Sequence, residues 1–184
     1  MDNGELNYRR YINGDDDGIV EIIRDYKDGL ILYLNGITGN FHLSEEYMEE
    51  TFFKLAVKKP VFRGKSSFKT WLYSIGRNAA IDGLRRSSRF SAVSIEDQTD
   101  LTDETDIENE YLKEEQKIIL HKALNSLKSE YRQVLYLTYF EGFDISEAAI
   151  IMKKNKKQIN NLLYRAKQSL RSTLEKGGFE YEKL

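Results

Sequence analysis

Apolar side chains recur at helical spacing through the first half of the chain. The first stripe follows the acidic segment 15–17 and comprises Ile19, Ile22, Ile23, Tyr26, Leu30 and Leu34. The second, behind Ser44 as the expected N-cap, comprises Leu43, Tyr47, Met48, Thr51, Phe52, Leu55 and Ala56. The third runs to about Arg86 and comprises Phe68, Leu72, Ile75 and Ala79. Residues three and four apart share a helix face, so the stripes predict three amphipathic helices.

Two breaks interrupt the helical pattern. Pro60 disfavours helical geometry at Lys59, so the second helix should end there, before a short basic loop at 62–67. Residues 91–112 hold eight carboxylates, no basic residue and few large apolar side chains, which is typical of a linker.

Two capping motifs lie close together in the second half of the chain. Asp144 precedes Glu147 by three residues, and Asn155 precedes Gln158 in the same way, as in a capping box. A short helix, a break at 153–154 and a longer capped helix are typical of a helix-turn-helix.

The predicted fold class is therefore all-α. A single proline in 184 residues, together with abundant Leu, Ile, Lys and Glu, favours helix over sheet. We expect a helical domain at 1–90, a flexible acidic linker at 91–112 and a helical domain with the helix-turn-helix at 113–184.

Charge is distributed in blocks that the net value of −2 conceals. Residues 1–53 carry 4 basic and 12 acidic side chains, whereas residues 54–90 carry 10 basic and 1 acidic side chain. Residues 91–115 carry 1 basic and 10 acidic side chains, whereas residues 116–184 carry 13 basic and 7 acidic side chains. The two basic blocks indicate contacts with a polyanion.

Composition excludes several classes of protein. With no cysteine and only two histidines, thiolate and His-rich metal sites are not expected. No catalytic constellation is apparent, so we predict a protein that is not an enzyme and binds no metal or cofactor. The acidic start and the lack of a long apolar run predict a soluble intracellular protein without membrane insertion.

The last predicted helix divides into an apolar and a polar face. Ile159, Leu162, Leu163, Ala166 and Leu170 share one side at 100° per residue. The other side carries Lys157, Asn160, Asn161, Tyr164, Gln168 and Arg171. Asn and Gln side chains suit adenine edges, although a merely solvated polar face remains an alternative.

Aromatic residues are interleaved with the first basic block, which suits melted nucleic acid because bases stack on aromatic rings. Lys69, Tyr73 and Arg77 are predicted to point away from the apolar stripe of their helix. Trp71 is more simply a core residue.

The preceding helix carries an acidic outer face with Glu45, Glu46, Glu49, Glu50 and Phe53. This face indicates either a solvated helix start or a binding face for a basic protein.

These segments resemble the extracytoplasmic-function (ECF) sigma factors of bacterial RNA polymerase. The resemblance rests on the stretch from Phe62 to Arg86, on Ser44 to Phe52 before it, and on Leu124 to Arg132, Glu141-Gly142, Glu147 to Ala149 and Tyr164 to Arg171. It covers nearly the whole chain in order. Glu49, Lys128, Lys153, Leu162 and the pair Asn160-Asn161 depart from the common pattern, so promoter preference does not transfer.

The resemblance implies three binding surfaces. The polymerase clamp would bind Glu45, Glu46, Glu49, Glu50 and Phe53. The minus-ten element would be read and opened by Phe62, Arg63, Lys65, Ser66, Lys69, Trp71, Tyr73, Arg77, Arg85 and Arg86. The minus-thirty-five element would be read by Lys156, Lys157, Gln158, Asn160, Asn161, Tyr164, Arg165, Gln168 and Arg171.

The resemblance also implies partners and a location. Core RNA polymerase would bind through its beta-prime clamp and beta flap, with the acidic linker in its channel, and promoter DNA would bind both double-stranded and melted. An anti-sigma factor is expected and could hold the protein at the membrane, whereas the working location would be the cytoplasm, at the nucleoid. The alternatives are a stand-alone helix-turn-helix regulator and a protein-binding module that docks polymerase without reading DNA.

Overall fold

The computed structural model describes residues 3–90 and 120–176, and every regular element in these two ranges is helical. The described N-terminal unit contains α1 (Asn3–Ile12), α2 (Asp17–Thr38), α3 (Phe41–Phe53) and α4 (Phe68–Phe90). The described C-terminal unit contains α5 (residues 120–125), α6 (Ser129–Leu135), α7 (Ile145–Met152) and α8 (Lys156–Lys176). The predicted all-α class is confirmed. The predicted linker 91–112 and the predicted domain start at 113 lie outside the described residues.

The long helix α2 is the centre of the N-terminal unit. Its predicted stripe is the buried one, because Ile22, Leu30 and Leu34 are fully enclosed by α1, α3 and α4. Helix α1 is not predicted by the apolar pattern, since it packs through tyrosines rather than aliphatic residues. The hydroxyls of Tyr8 and Tyr11 donate to the carbonyls of Pro60 and Ala56 at 2.7 and 2.8 Å.

Helix α3 begins earlier than predicted, and the assignment of Ser44 as its N-cap is wrong. The N-cap is Asn40, whose side chain accepts a hydrogen bond of 3.0 Å from the backbone N–H of Leu43. Ser44 is buried in the first turn and donates to the carbonyl of Asn40 at 2.7 Å. Two residues able to cap lie four positions apart, and burial of Ser44 decides between them.

The helical stretch that begins with α3 ends just before Pro60, as predicted. A π-helical turn, Lys54–Lys58, continues the helix, and Lys59 then adopts a left-handed conformation (φ 42°) directly before Pro60. Helix α4 starts at the predicted Phe68 but runs past Arg86 to Phe90.

The C-terminal unit is built around a short and a long helix. Ala148, Ala149 and Ile151 of α7 are buried, and the small alanines allow close packing against α4 and α8. Helix α6 ends in a second π-helical turn, Tyr136–Phe140. Lys153 takes a left-handed conformation (φ 54°) between α7 and α8, which makes the turn of the helix-turn-helix.

The two units pack against each other and share one continuous apolar core. Helix α4 lies against α7, and the C-terminal end of α2 lies against α6. At the second contact, Ser129 Oγ and Arg132 Nε donate to the carbonyl of Gly36 at 2.9 and 3.2 Å. These donors satisfy a carbonyl in the last turn of α2, where a positive charge is also favoured.

Candidate nucleic-acid and polymerase interfaces

The helix-turn-helix is fixed by two reciprocal caps. The Asp144 carboxylate accepts from the N–H of Glu147 at 2.8 Å, and the Glu147 carboxylate accepts from the N–H of Asp144 at 3.1 Å. Asn155 and Gln158 make the same exchange with both distances at 2.8 Å. These bonds satisfy helix N–H groups that otherwise lack partners, and the backbone N–H bonds lower the pKa of Asp144.

Helix α8 presents one face to the core and the other to solvent. Ile159 and Ala166 are fully buried. The predicted minus-thirty-five residues are all exposed, namely Lys156, Lys157, Gln158, Asn160, Asn161, Tyr164, Arg165, Gln168 and Arg171. Gln158, Asn161 and Arg165 also line a polar cleft of about 500 Å³ together with Lys128 and Lys154. Glu130 also lines the cleft and pairs with Lys154 at 2.9 Å. The amide and guanidinium donors of this cleft are suited to phosphate and base edges.

Helix α3 carries an exposed acidic face. Glu45, Glu46, Glu49 and Glu50 all face solvent, and Phe53 at the end of the helix is 63% exposed. Arg86 of α4 approaches Glu50 at 3.8 Å, so the acidic face borders the basic end of α4. An exposed phenylalanine beside carboxylates is suited to a protein partner rather than to DNA.

The loop before α4 stands on an aromatic cluster. Phe62 packs on Trp71 and Phe68 with ring centroids 5.1 and 5.7 Å apart, and Tyr8 of α1 lies 5.5 Å from both Phe68 and Trp71. Phe62 and Trp71 are therefore half-buried supports. The exposed tip of the loop carries Arg63, Gly64 and Lys65, followed by half-buried Ser66, and Gly64 takes a positive φ of 65° that favours glycine.

A groove beside Phe62 adds residues that sequence patterns did not indicate. It has a volume of about 370 Å³ and is lined by Tyr8 and Arg9 of α1, by Asn13 in the turn after α1, and by Lys59, Pro60 and Val61. The basic pair Arg9-Arg10 inside an otherwise acidic segment is the signal that could have pointed to α1.

The predicted orientation of the middle of α4 is wrong in one respect. Tyr73 is fully buried and Lys69 is half-buried, because Glu141 and Phe143 of the C-terminal unit cover them. Arg77 is half-buried beside Tyr33 of α2. The Tyr73 hydroxyl donates to Glu141 Oε2 at 2.7 Å, and burial, then this carboxylate, raises the pKa of Tyr73. Helical spacing showed that Tyr73 lies off the apolar stripe, but it could not show that a second unit covers it. Arg85 and Arg86, farther along, are exposed.

Comparison with known proteins identifies the family. The model for Sigma-70 region 2 matches residues 22–90, and the model for Sigma-70 region 4 matches residues 117–170. The chain is 30% identical over 162 residues to the RNA polymerase sigma factor YlaC of Bacillus subtilis, in an alignment that covers 87% of this chain and 94% of YlaC. The chain belongs to the ECF sigma factors. It is also 27% identical to the ECF sigma factor SigM of the same organism, over 86% of this chain and 96% of SigM.

Solved structures share the fold. CnrH, in complex with the cytosolic domain of CnrY, superposes with a TM-score of 0.66 at 18% identity, over 95% of this chain and 98% of CnrH. The sigma factor RpoE of Bartonella quintana, in complex with the anti-sigma factor NepR, gives a TM-score of 0.67 at 23% identity, over 84% of this chain and 95% of RpoE.

As a sigma factor, the chain binds core RNA polymerase and promoter DNA and directs transcription initiation. A stand-alone helix-turn-helix regulator is not favoured, because region 2 accounts for residues 22–90, from the second turn of α2 to the end of α4. Among the described residues, no group of three or more acidic or histidine side chains could hold a metal ion. No helix in the described ranges has the length and apolarity that crossing a bilayer requires.

Proposed function

We propose that this ECF sigma factor divides polymerase docking, promoter melting and promoter reading among three separate surfaces. The observation that carries the proposal is the segregation of charge on the folded chain. The acidic face of α3, the basic loop and α4, and the polar face of α8 each carry one kind of chemistry on a different helix.

The α3 face is the proposed contact with the beta-prime clamp. Glu45, Glu46, Glu49 and Glu50 supply charge for a basic partner, and Phe53 supplies an apolar anchor at its edge. The opposite side of α3 is held in the core by Tyr47, Thr51 and Phe52, so the acidic face has a fixed orientation. Complementary charge would steer the encounter, and burial of the phenylalanine by the partner would slow dissociation.

The loop and α4 are the proposed minus-ten surface. Arg63, Lys65 and Ser66 at the loop, together with Arg85 and Arg86, would contact phosphates, while Phe62 and Trp71 hold the loop from below. Lys69, Tyr73 and Arg77 would meet the melted strand once their face is uncovered. An aromatic ring on this surface can stack on an extruded base.

Helix α8 is the proposed reader of the minus-thirty-five element. Lys156, Lys157 and Arg165 would position it on the phosphate backbone, and Gln158, Asn160 and Asn161 would reach base edges near its N-terminal end. Tyr164, Gln168 and Arg171 extend the same face toward the flanking backbone. The reciprocal cap of Asn155 and Gln158 presents that end rigidly to the major groove.

An apolar groove in the C-terminal unit is the proposed site for the beta flap. It has a volume of about 370 Å³, and its walls include Leu124, Leu135 and Leu170. Tyr139 and Phe140 in the same groove are 57% and 50% exposed, which is typical of an interaction site on a soluble unit.

The remaining functional assignments follow from the family. We propose that the protein acts in the cytoplasm at the nucleoid, has no enzymatic activity of its own, and places its acidic segment 91–112 in the polymerase channel. An anti-sigma factor is a further proposed partner, since the similar sigma factor RpoE was solved in complex with the anti-sigma factor NepR.

Potassium permanganate footprinting with core polymerase tests the division of labour. Tyr73→Ala should reduce permanganate reactivity of unpaired thymines in the minus-ten region while leaving closed-complex binding within about twofold. Tyr164→Ala, on α8, should instead weaken closed-complex binding. Unchanged thymine reactivity with Tyr73→Ala would reject the proposed role of α4 in melting.

A further inference from the structure

The C-terminal unit covers the same face of α4 that the proposed function assigns to melted DNA. Glu141 stands at the centre of this contact and is only 12% exposed. Its Oε2 atom accepts from the Tyr73 hydroxyl at 2.7 Å and pairs with Lys69 Nζ at 2.9 Å. The backbone carbonyl of Glu141 accepts from the same Lys69 ammonium at 2.8 Å. Two side chains proposed for DNA are thus both held by one glutamate.

Phe143 completes the cover over these two residues. Its ring meets the Tyr73 ring edge-on, with centroids 5.0 Å apart, and the Lys69 ammonium lies 4.8 Å from the Phe143 centroid. Tyr73 is left with 0% exposure and Phe143 with 5%. A base could not stack on the Tyr73 ring while Phe143 occupies that position.

A second polar contact seals the start of α4. Glu147 Oε1 accepts hydrogen bonds of 3.0 Å from both the Ser67 and the Thr70 hydroxyls. A negative carboxylate at the N-terminus of α4 is also favoured by the helix dipole. The C-terminal unit therefore places carboxylates where DNA phosphates and bases would otherwise approach.

Gly29 of α2 shows how closely the contact is fitted. A Cβ atom at this position would lie 2.5 Å from both Glu141 Oε1 and the Tyr73 hydroxyl, and 2.9 Å from Glu141 Cδ. Any residue larger than glycine would displace the Glu141 carboxylate and the Tyr73 hydroxyl. At Gly36, on the same helix and at the same interface between units, a Cβ atom would have no neighbour nearer than 3.7 Å, so this position tolerates alanine.

We propose that the protein without polymerase is autoinhibited, with Glu141 holding the C-terminal unit over the minus-ten surface of α4 and Gly29 providing the space that this closure needs. This inference rests on the proposed DNA-binding role of α4. Core polymerase would have to separate the two units before Lys69 and Tyr73 could engage a melted strand. Negative charge from Glu141 and Glu147 excludes DNA in the closed arrangement and leaves the surface when the units part.

Gly29→Ala and Gly36→Ala form a matched pair that tests the closure. Both gain helix propensity by the same chemical change, but only Gly29→Ala pushes on Glu141. Because the chain has no cysteine, dyes attached at Val20→Cys and Ser172→Cys would report the separation of the units by fluorescence energy transfer. Energy transfer should fall in Gly29→Ala and stay at the wild-type value in Gly36→Ala.

Binding of a fluorescent single strand with the non-template minus-ten sequence gives the second readout on the full-length protein. We expect at least fivefold tighter binding for Gly29→Ala than for the wild type and for Gly36→Ala. Glu141→Gln, which keeps an acceptor for Tyr73 but removes the charge that faces Lys69, should also bind more tightly. It serves as the second variant if Gly29→Ala disturbs folding. Circular dichroism melts of all variants check the fold.

The outcomes separate closure from function. Wild-type energy transfer in both Gly29→Ala and Glu141→Gln would overturn the proposed closure. Lower energy transfer without tighter strand binding would support the closure as a structural contact and reject α4 as the DNA surface that it covers.

Discussion

The carboxylate of Glu147 lies 3.0 Å from the hydroxyl of Ser67, a residue eighty positions earlier in the chain. Each of the two also caps its own helix. Ser67 Oγ accepts from the N–H of Thr70 at 3.2 Å at the start of α4, and Glu147 Oε2 closes the capping box of α7. The contact thus joins the N-terminal ends of two helices from different units.

This double role predicts that Glu147→Ala is more destabilising than loss of a cap alone. The variant loses the bond to the N–H of Asp144 and the carboxylate oxygen that accepts from both the Ser67 and the Thr70 hydroxyls. We expect a cost of about 2–3 kcal/mol in the free energy of unfolding, measured by urea denaturation. Gln158→Ala removes the equivalent capping bond of α8 without an inter-unit contact, and should cost about 0.5–1 kcal/mol. Equal costs for the two variants would mean that the contact between units adds no stability.

The turn of the helix-turn-helix offers a stabilising substitution. Lys153 has a φ of 54°, a conformation in which a Cβ atom is unfavourable and glycine is not. Lys153→Gly should raise the free energy of unfolding by about 1 kcal/mol, as measured by thermal or urea denaturation. Lys153→Ala keeps the strain and removes only the charge, so it should leave stability nearly unchanged. If alanine stabilises as much as glycine, charge rather than backbone conformation is the cause.

Much of this fold follows from the spacing of apolar residues, and the exceptions have identifiable causes. The stripe with Ile22 and Leu30 predicts α2 because aliphatic residues have one preferred environment. The environments of Tyr8 and Tyr73 cannot be predicted from the sequence, since the apolar ring of a tyrosine favours burial and its hydroxyl favours contact with water. The caps of α7 and α8 are local and could be predicted, whereas the choice between Asn40 and Ser44 depends on tertiary burial.

The candidate surfaces also differ in how far the sequence alone predicts them. Exposure of Asn161 follows from helical periodicity, because it depends on α8 and its own core only. The cover over Lys69 depends on Glu141, seventy-two residues away, and no periodicity links the two positions. Gly29 carries no signal in the sequence, since its role is to leave space for that glutamate.

Promoter preference should depend on Asn161. Its exposed amide, near the N-terminal end of α8, can offer a donor and an acceptor to one base. With the polymerase holoenzyme, Asn161→Ala should reduce discrimination at one minus-thirty-five position by about 1–3 kcal/mol, measured by competition among promoter variants. Ser172→Ala, exposed farther along the same helix, should leave the preference unchanged. An identical sequence preference in both variants would reject base reading by Asn161.

Alkaline pH should destabilise the protein through its buried tyrosines. Burial, then the neighbouring Tyr11, raises the pKa of Tyr8 from 10.0 to about 12. Between these values the unfolded chain releases the proton and the folded chain keeps it, so stability present below pH 10 falls as the pH rises toward 12. Tyr8→Phe should make the decline in the free energy of unfolding shallower over this interval. If the slope is the same in Tyr8→Phe and in the wild type, the raised pKa of Tyr8 does not contribute to the loss of stability in this pH range.

Run-off transcription with bacterial core RNA polymerase tests the central claim most directly. The account predicts that core enzyme plus this protein produces a discrete transcript from a cognate promoter, selected from a random promoter library, whereas neither component does so alone. Failure to bind core polymerase, combined with tight sequence-specific binding of the protein alone to duplex DNA, would contradict it.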